Sequence, residues 1–232
     1  MRKLNSSDNL SHPLTDLAIS LMVIFVLLLV IYLNNTSHAV ASIRSQLLKD
    51  LSKKLGSIQS LKVERDPKDP LSIVIIVPQD LLGFGLNDFR VPVKGKLFLK
   101  RVVPQIATIV CNPQFEDKID SINVIGYTDS NGVHGMSKNY SNNFNLRLSQ
   151  DRSMSVVEQS LESLKTHKNN YNCFLKRLSA SGKGDRDPIM INGKEDFAKS
   201  RRVVFKIRIL STEQQQFQKS IEKILPTQSL NR

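Results

Sequence analysis

The alternation of apolar and polar positions divides the chain into a hydrocarbon-like run, an amphipathic stretch and a region of mixed periodicity. From Leu14 to Leu33, "LTDLAISLMVIFVLLLVIYL" is 20 residues of almost unbroken apolar character. As a helix it is about 30 Å long, the thickness of a bilayer core. A secretory signal peptide has a shorter apolar core and a small-x-small cleavage site. The following "NNTSHAVAS" supplies small residues, so cleavage stays open, but the length favours a retained single-span anchor. Beyond it, Val40, Ile43, Leu47, Leu48, Leu51, Leu55 and Ile58 recur at helical spacing. They extend the membrane helix as an amphipathic connector ending near Gly56. The connector reads as a plain tether or as one member of a parallel helix pair between two copies of the chain. "ERDPKDP", Glu64 to Pro70, reads as a polar, proline-bearing hinge, and the domain boundary is placed there.

"LSIVIIVP", Leu71 to Pro78, is β-branched and predicts a strand. "KLFLKRVVPQIATIVC" has helical periodicity at Leu97, Leu99, Val102, Val103, Ile106, Ile109 and Val110. Pro104 within it predicts a kink or a later start. Asp120 to Thr128 predicts a second strand, followed by a polar loop to Asn143. In "LSQDRSMSVVEQSLESLK", Leu148, Met154, Val157, Leu161 and Leu164 mark one helix face. "FLKRLSASGKG" predicts a third strand, and "RDPIMINGKEDFAK" an exposed loop. Arg201 to Leu210 predicts a fourth strand. Val203, Phe205, Ile207 and Ile209 lie on one face of it, with Arg202, Val204, Lys206 and Arg208 on the other. Residues 211–232 form a Gln- and Lys-rich tail. The order β-α-β-α-β-β predicts an α+β two-layer sandwich over residues 71–210.

Charge narrows the classes of partner. There are 33 Lys+Arg against 21 Asp+Glu, a formal net charge of +12. That balance suits nucleic acid, an anionic membrane surface or another acidic polymer. Tryptophan is absent and aromatics are 6%, so stacking platforms for single strands are few. Two cysteines without a CxxC pair and four scattered histidines give no zinc pattern, and nothing calls for a cofactor or metal. Cys111 and Cys173 are either two free thiols or one disulfide, depending on compartment. Arg2 and Lys3 precede the span, whereas Arg44, Lys49, Lys53 and Lys54 follow it. The positive-inside rule therefore leaves orientation open.

Two places carry candidate chemistry. Asp16 stands in the first turn of the span. It is an interfacial acid at the positive end of a helix, or an ionisable group that faces a partner and carries ions. Ser20 lies one turn later on the same face, as part of a polar seam or as a small packing residue. Farther on, Asp129 ends a predicted strand, and Arg152 opens the helix that folds back over it. A carboxylate binds an ammonium, and a guanidinium binds a carboxylate bidentately, so one zwitterionic ligand satisfies both. A salt bridge holding a loop to the helix is the other reading.

"PLTDLAISLMVIF" resembles the transmembrane segment of the ExbD/TolR and MotB families, the B subunits of ion-driven motors, through Pro13, Asp16 and the apolar run ending in Phe25. That resemblance implies that Asp16, with Ser20 beside it, carries the transported proton. Three further pieces together resemble the OmpA-like domain. They are Gly126-Tyr127-Thr128-Asp129 at a strand end, Asn145 to Arg152 (with Leu148 and Ser149 between) at a helix start, and Arg201-Arg202-Val203 at a strand start. Ser153 stands where that family has alanine. The resemblance implies peptidoglycan binding. Asp129 would grip the amino end, and Arg152 the carboxylate end, of the diaminopimelate in the stem peptide. Thr128, Asn145 and Leu148 would line the pocket, with Arg202 as a neighbour. "SNGVHGMSKNYSNNF" is longer than is usual there and long enough to cover part of the pocket.

The two resemblances combine into the architecture of a stator B subunit: not an enzyme, but a single-pass inner-membrane protein. Its N-terminus would be cytoplasmic and its domain periplasmic. Its partners would be a multi-span MotA/ExbB/ZorA-like subunit, a second copy of the chain as a homodimer, and peptidoglycan, but no nucleic acid. A periplasmic domain makes a Cys111–Cys173 disulfide permissible, worth about 4 kcal/mol in the chain-entropy model. The short N-terminus and "TDLAISLMVIFVLLLV" are most similar to the ZorB family of the Zorya anti-phage defence systems. A flagellar MotB-like subunit and a passive wall anchor without motor activity are the alternatives.

Overall fold

The computed structural model describes residues 8–224. Helix α1 (Asp8–Leu55) is followed by strand β1 (Lys62–Arg65), β2 (Ser72–Pro78), the short α2 (Gln79–Leu82) and α3 (Val93–Val110). Next come β3 (Ile119–Tyr127), α4 (Lys138–Leu164), α5 (Lys168–Arg177) and β4 (Leu178–Gly184). A hairpin of the two-residue strands β5 (Met190–Ile191) and β6 (Lys194–Glu195) follows, then α6 (Phe197–Ser200), β7 (Arg202–Ile209) and α7 (Thr212–Ile224).

Helix α1 has two characters. Its window Leu14–Ile31 has a mean hydropathy of 2.8, and among the described residues nothing covers it. That window is long and apolar enough to cross a membrane. Leu47, Leu51 and Leu55, four residues apart, are instead fully buried, as Val40 nearly is. This part of α1 packs against α3, β1 and β2. The connector is therefore no free tether, and the stripe that would serve a parallel helix pair is buried within its own chain. Removing such leucines from water is worth roughly 1.5–3 kcal/mol each.

The main sheet has the order β1-β2-β7-β3-β4. Strands β3 and β4 are parallel, and the other pairs are antiparallel. Register follows the period of two. Ile73, Ile75 and Val77 pair with Ile207, Phe205 and Val203, and Ile122 and Val124 pair with Ile207 and Phe205. All join one core with Leu99, Val102, Val103 and Ile106 of α3 and Val156 and Val157 of α4. The opposite face holds only a small cluster of Val74, Ile125 and Val204, with Ile76 and Tyr127 against it. This is the expected α+β sandwich, with helices on one face of the sheet.

Several boundaries differ from the sequence expectation. The expected hinge begins inside β1, an edge strand, and continues as the turn between β1 and β2. Lys206 ties that turn down through Asp66 and Asp69 at 2.7 and 3.0 Å. The folded unit thus starts within α1, not at Leu71. Helix α5 occupies sequence expected as the beginning of a strand, with Cys173 and Phe174 buried. Helix α3 runs on both sides of Pro104, and Phe98 rather than Leu97 faces the core. Helix α4 begins at Lys138 because the Ser137 hydroxyl accepts a hydrogen bond from Tyr140 N at 3.2 Å. The expected long loop is therefore only residues 130–137. Cys111, just after α3, and Cys173, in α5, form a disulfide with Cα atoms 6.0 Å apart.

Candidate functional site

Two glycines set the position of α4 on the sheet. A Cβ on Gly126 would lie 2.1 Å from Ser149 O, and one on Gly182 would lie 2.5 Å from Gln150 N. Only hydrogen at these Cα atoms lets the helix backbone sit this close to β3 and β4. The Ser149 hydroxyl then accepts from Gly184 N at 2.8 Å and donates to Leu146 O at 2.7 Å. This seam places Asn145, Leu148 and Arg152 beside the end of β3, where Thr128 and Asp129 emerge.

These five residues line one cavity of about 630 Å³. Gln79, Phe144, Arg201, the loop around Gly85 to Asn87, and Asn131 to His134 complete its wall. Asp129 and Arg152 are 7% and 5% exposed, so two opposite charges are held in a nearly water-free wall. They do not pair with each other. The Asp129 carboxylate accepts from Arg201 Nη1 and, through Oδ2, from Asn131 Nδ2 at 3.2 Å. Arg152 instead donates from Nε to Asp88 O at 2.9 Å and from Nη2 to Gly85 O at 3.0 Å. Its guanidinium lies 5.0 Å from the Phe84 ring centroid. Among the described residues Nη1 has no partner. The simple Asp129–Arg152 salt bridge is therefore not what the fold builds.

The electrostatics follow from burial. Desolvation, with the neighbouring Arg201 charge, pushes the Arg152 guanidinium down to about 10, against the opposing pull of Asp129 and Asp88. It stays charged at neutral pH. The Arg90 guanidinium beside Asp88 holds that carboxyl down at about 2, which keeps the carbonyl-presenting loop tied. Asn145 Nδ2 donates to Asp129 O and to Asn131 O, each at 3.3 Å, and so fixes the loop after β3. The Thr128 hydroxyl is shielded from solvent and has no hydrogen-bond partner among the described residues. Buried polar atoms are seldom left unpaired, and this one lies in the cavity wall.

Arg202 does not join this group. It stacks on Tyr127, 3.9 Å from the ring centroid, and donates to Ser200 O and Asp187 O at 3.1 and 3.0 Å. Burial pushes its guanidinium below the usual range. Arg201 takes the expected place. The alternation of β7 already contains this result: Arg201 shares parity with Val203 and Phe205, which face the helices, whereas Arg202 shares parity with Lys206. Gln79 and the Gly85 loop carry no comparable signal, because long-range packing brings them in. Asp16 and Ser20 both lie exposed on α1 and meet no other element of the described chain.

Several solved structures resemble the chain. A MotB-like protein from Desulfovibrio vulgaris matches with a TM-score of 0.54 and 19% identity, over 74% of this chain and 94% of its own. The periplasmic domain of Helicobacter pylori MotB matches at 0.49 and 18%, over 77% and 95%. The cell wall anchor of the T6SS from Pseudomonas aeruginosa matches at 0.46 and 20%, over 69% and 97%. No protein-family model and no curated protein matches the chain. The first likeness, with the strand and helix order above, gives the domain a MotB-like, OmpA-like fold behind one apolar helix.

Proposed function

We propose that the chain is the wall-anchored B subunit of an ion-driven inner-membrane motor. The observation that carries the wall-binding half is the cavity at the end of β3. There Asp129 and Arg152, buried and opposite in charge, are held apart by separate protein partners. The diaminopimelate of a peptidoglycan stem presents an ammonium and a carboxylate on one carbon. Its ammonium meets Asp129, and its carboxylate meets Arg152 Nη1. Asn145 and Leu148 shape the wall. Arg201 donates to Asp129 and is displaced or shared when the amine arrives.

The span supports the second half. In this reading its N-terminus is cytoplasmic, the domain is periplasmic, and Asp16 and Ser20 face a multi-span MotA/ExbB/ZorA-like partner around a homodimer of this chain. The Zorya defence role rests on the likeness of the span, and neighbouring nuclease or helicase genes would support it. The chain itself performs no catalysis in this scheme.

The test is cosedimentation of the full chain, in detergent, with purified insoluble peptidoglycan. Recovery in the pellet is expected for the native protein and a loss of at least tenfold for Asp129→Asn. Arg152→Lys keeps the charge but loses the two-carbonyl geometry, and is expected to weaken binding as well. Equal recovery of all three proteins would falsify the pocket assignment.

A further inference from the structure

The Cys111–Cys173 bridge joins two chemically unlike sulfurs. Cys111 follows α3 and is partly exposed, with exposed Asn112, Pro113 and Gln114 beside it. Cys173 lies inside α5 and is 5% exposed, next to the fully buried Phe174. Arg177, one turn farther along α5, donates from Nη1 to Cys173 Sγ at 3.6 Å and to Cys173 O at 3.2 Å. Two more bonds, from Nε to Ile119 O at 3.1 Å and from Nη2 to Glu116 O at 2.6 Å, lock the guanidinium in place. The Glu116 carboxylate lies 3.7 Å from Nη1 and is half-exposed, so water weakens its hold on the cation. At Cys111 the sign is reversed. Its Sγ lies 3.9 Å from the carbonyl oxygen of Asn170, the negative end of a peptide dipole. A guanidinium favours a thiolate beside it, and a carbonyl oxygen disfavours one.

From this asymmetry we infer that the bridge is a polarised thiol–disulfide exchange site, in which Cys111 is the sulfur attacked and Cys173 the sulfur that leaves. An incoming thiolate bonds to Cys111 Sγ as the Cys111–Cys173 bond breaks, and the electron pair of that bond stays on Cys173 Sγ. Negative charge moves from the attacking sulfur to Cys173, beside Arg177, and the step needs no proton and no external oxidant. In reverse, the Cys173 thiolate attacks a mixed disulfide held at Cys111, expels the thiolate and closes the bridge. Burial by itself opposes a thiolate at Cys173, but the fixed cation in contact with it offsets that cost. Burial also shuts out direct attack on Cys173. Exchange is faster when the leaving sulfur is the better-stabilised thiolate, so access and leaving-group stability select the same direction. Arg177 is a positioning residue that acts through Cys173.

The test treats the full chain, folded in detergent, with excess reduced glutathione. The reaction is stopped with acid, free thiols are alkylated with N-ethylmaleimide in denaturant, and peptide mass spectrometry locates both labels. Glutathione on Cys111 with N-ethylmaleimide on Cys173 is expected about ten times as often as the reverse. Arg177→Gln removes the charge and is expected to slow the reaction about tenfold, and Arg177→Lys to keep most of the native rate. A purely structural Arg177 predicts the opposite sign, because a loosened α5 exposes the bridge and speeds exchange. Equal labelling of the two cysteines is the pattern of exchange through the unfolded chain. That pattern, an excess of glutathione on Cys173, or no mixed disulfide in the folded protein overturns the site. An Arg177→Gln rate equal to or above the native one overturns the role of Arg177. Neither arm depends on the wall-binding reading.

Discussion

Single atoms decide the geometry of the pocket. Gly126 is the sharpest case, because a methyl group there would meet Ser149 O at 2.1 Å, and the obstacle is backbone that cannot swing away. Gly126→Ala is expected to cost about 1–3 kcal/mol, the usual range for overpacking. It is also expected to weaken peptidoglycan cosedimentation, because α4 carries Arg152. Chemical denaturation with parallel cosedimentation measures both. Asp69 gives the pH dependence. Burial raises its pKa, but hydrogen bonds from Ser72, Lys206 and the Leu71 backbone outweigh that and hold it below the ordinary value. The folded state therefore binds fewer protons than the unfolded chain. The contribution is full above the ordinary carboxylate range near pH 4 and is lost as pH falls through the lower folded value. Thermal melts from pH 6 to pH 2 are expected to drop across that acid range, less steeply in Asp69→Asn. Much of the site was legible in the residues. The strand-end Thr128-Asp129 and the helix-borne Asn145, Leu148 and Arg152 do converge, because a strand end and the helix packed over it are neighbours in this topology. The choice between Arg201 and Arg202 was legible only by extending the period of two one residue before the strand.

At the level of elements, legibility tracked the amount of apolar surface each segment buries. β2, β7 and α3 announce themselves because alternate or helically spaced residues enter one core. β1 offers only Val63 among its four residues, and β4 is mostly small and polar, so their strand character comes from pairing with neighbours. The second half of α1 was legible as a helix but not as part of the domain. An amphipathic stripe says that something covers it, not what. The disulfide joins the end of α3 to α5, two elements that flank the same core, across a separation of 62 residues. In the chain-entropy model, closing a loop of that length stabilises the domain by about 4 kcal/mol. Cys111→Ser with Cys173→Ser is expected to lower the unfolding free energy by up to that amount, read from urea titrations. Reductant is expected to reproduce the effect in the native protein and to leave the double variant unchanged. A native protein indifferent to reductant under unfolding conditions would show that the bridge adds nothing.

Across the whole molecule, one helix joins the two proposed activities. α1 is continuous from Asp8 to Leu55, with its apolar window at one end and its buried leucines at the other. Asp16 and Leu47 are therefore about 46 Å apart along one element, at 1.5 Å per residue. A carboxylate on a membrane helix is costly unless it is paired, solvated or protonated. On the described chain Asp16 is exposed, and in the motor reading its partner in the bilayer lies on another subunit. A passive anchor needs that acid only as an interfacial charge near the helix N-terminus, whereas a motor needs it to alternate between charged and neutral forms. Asp16→Asn keeps shape and polarity but removes the titration, so the two readings separate cleanly. In proteoliposomes holding the chain with its multi-span partner, proton flux is expected to fall to background in this variant. Membrane insertion, disulfide formation and peptidoglycan cosedimentation are expected to match the native protein, because the folded domain begins more than twenty residues beyond the acid. Ser20→Ala, which removes only a hydroxyl from the same face, is expected to slow the flux without abolishing it. Undiminished flux in Asp16→Asn would leave the wall anchor standing and remove the motor.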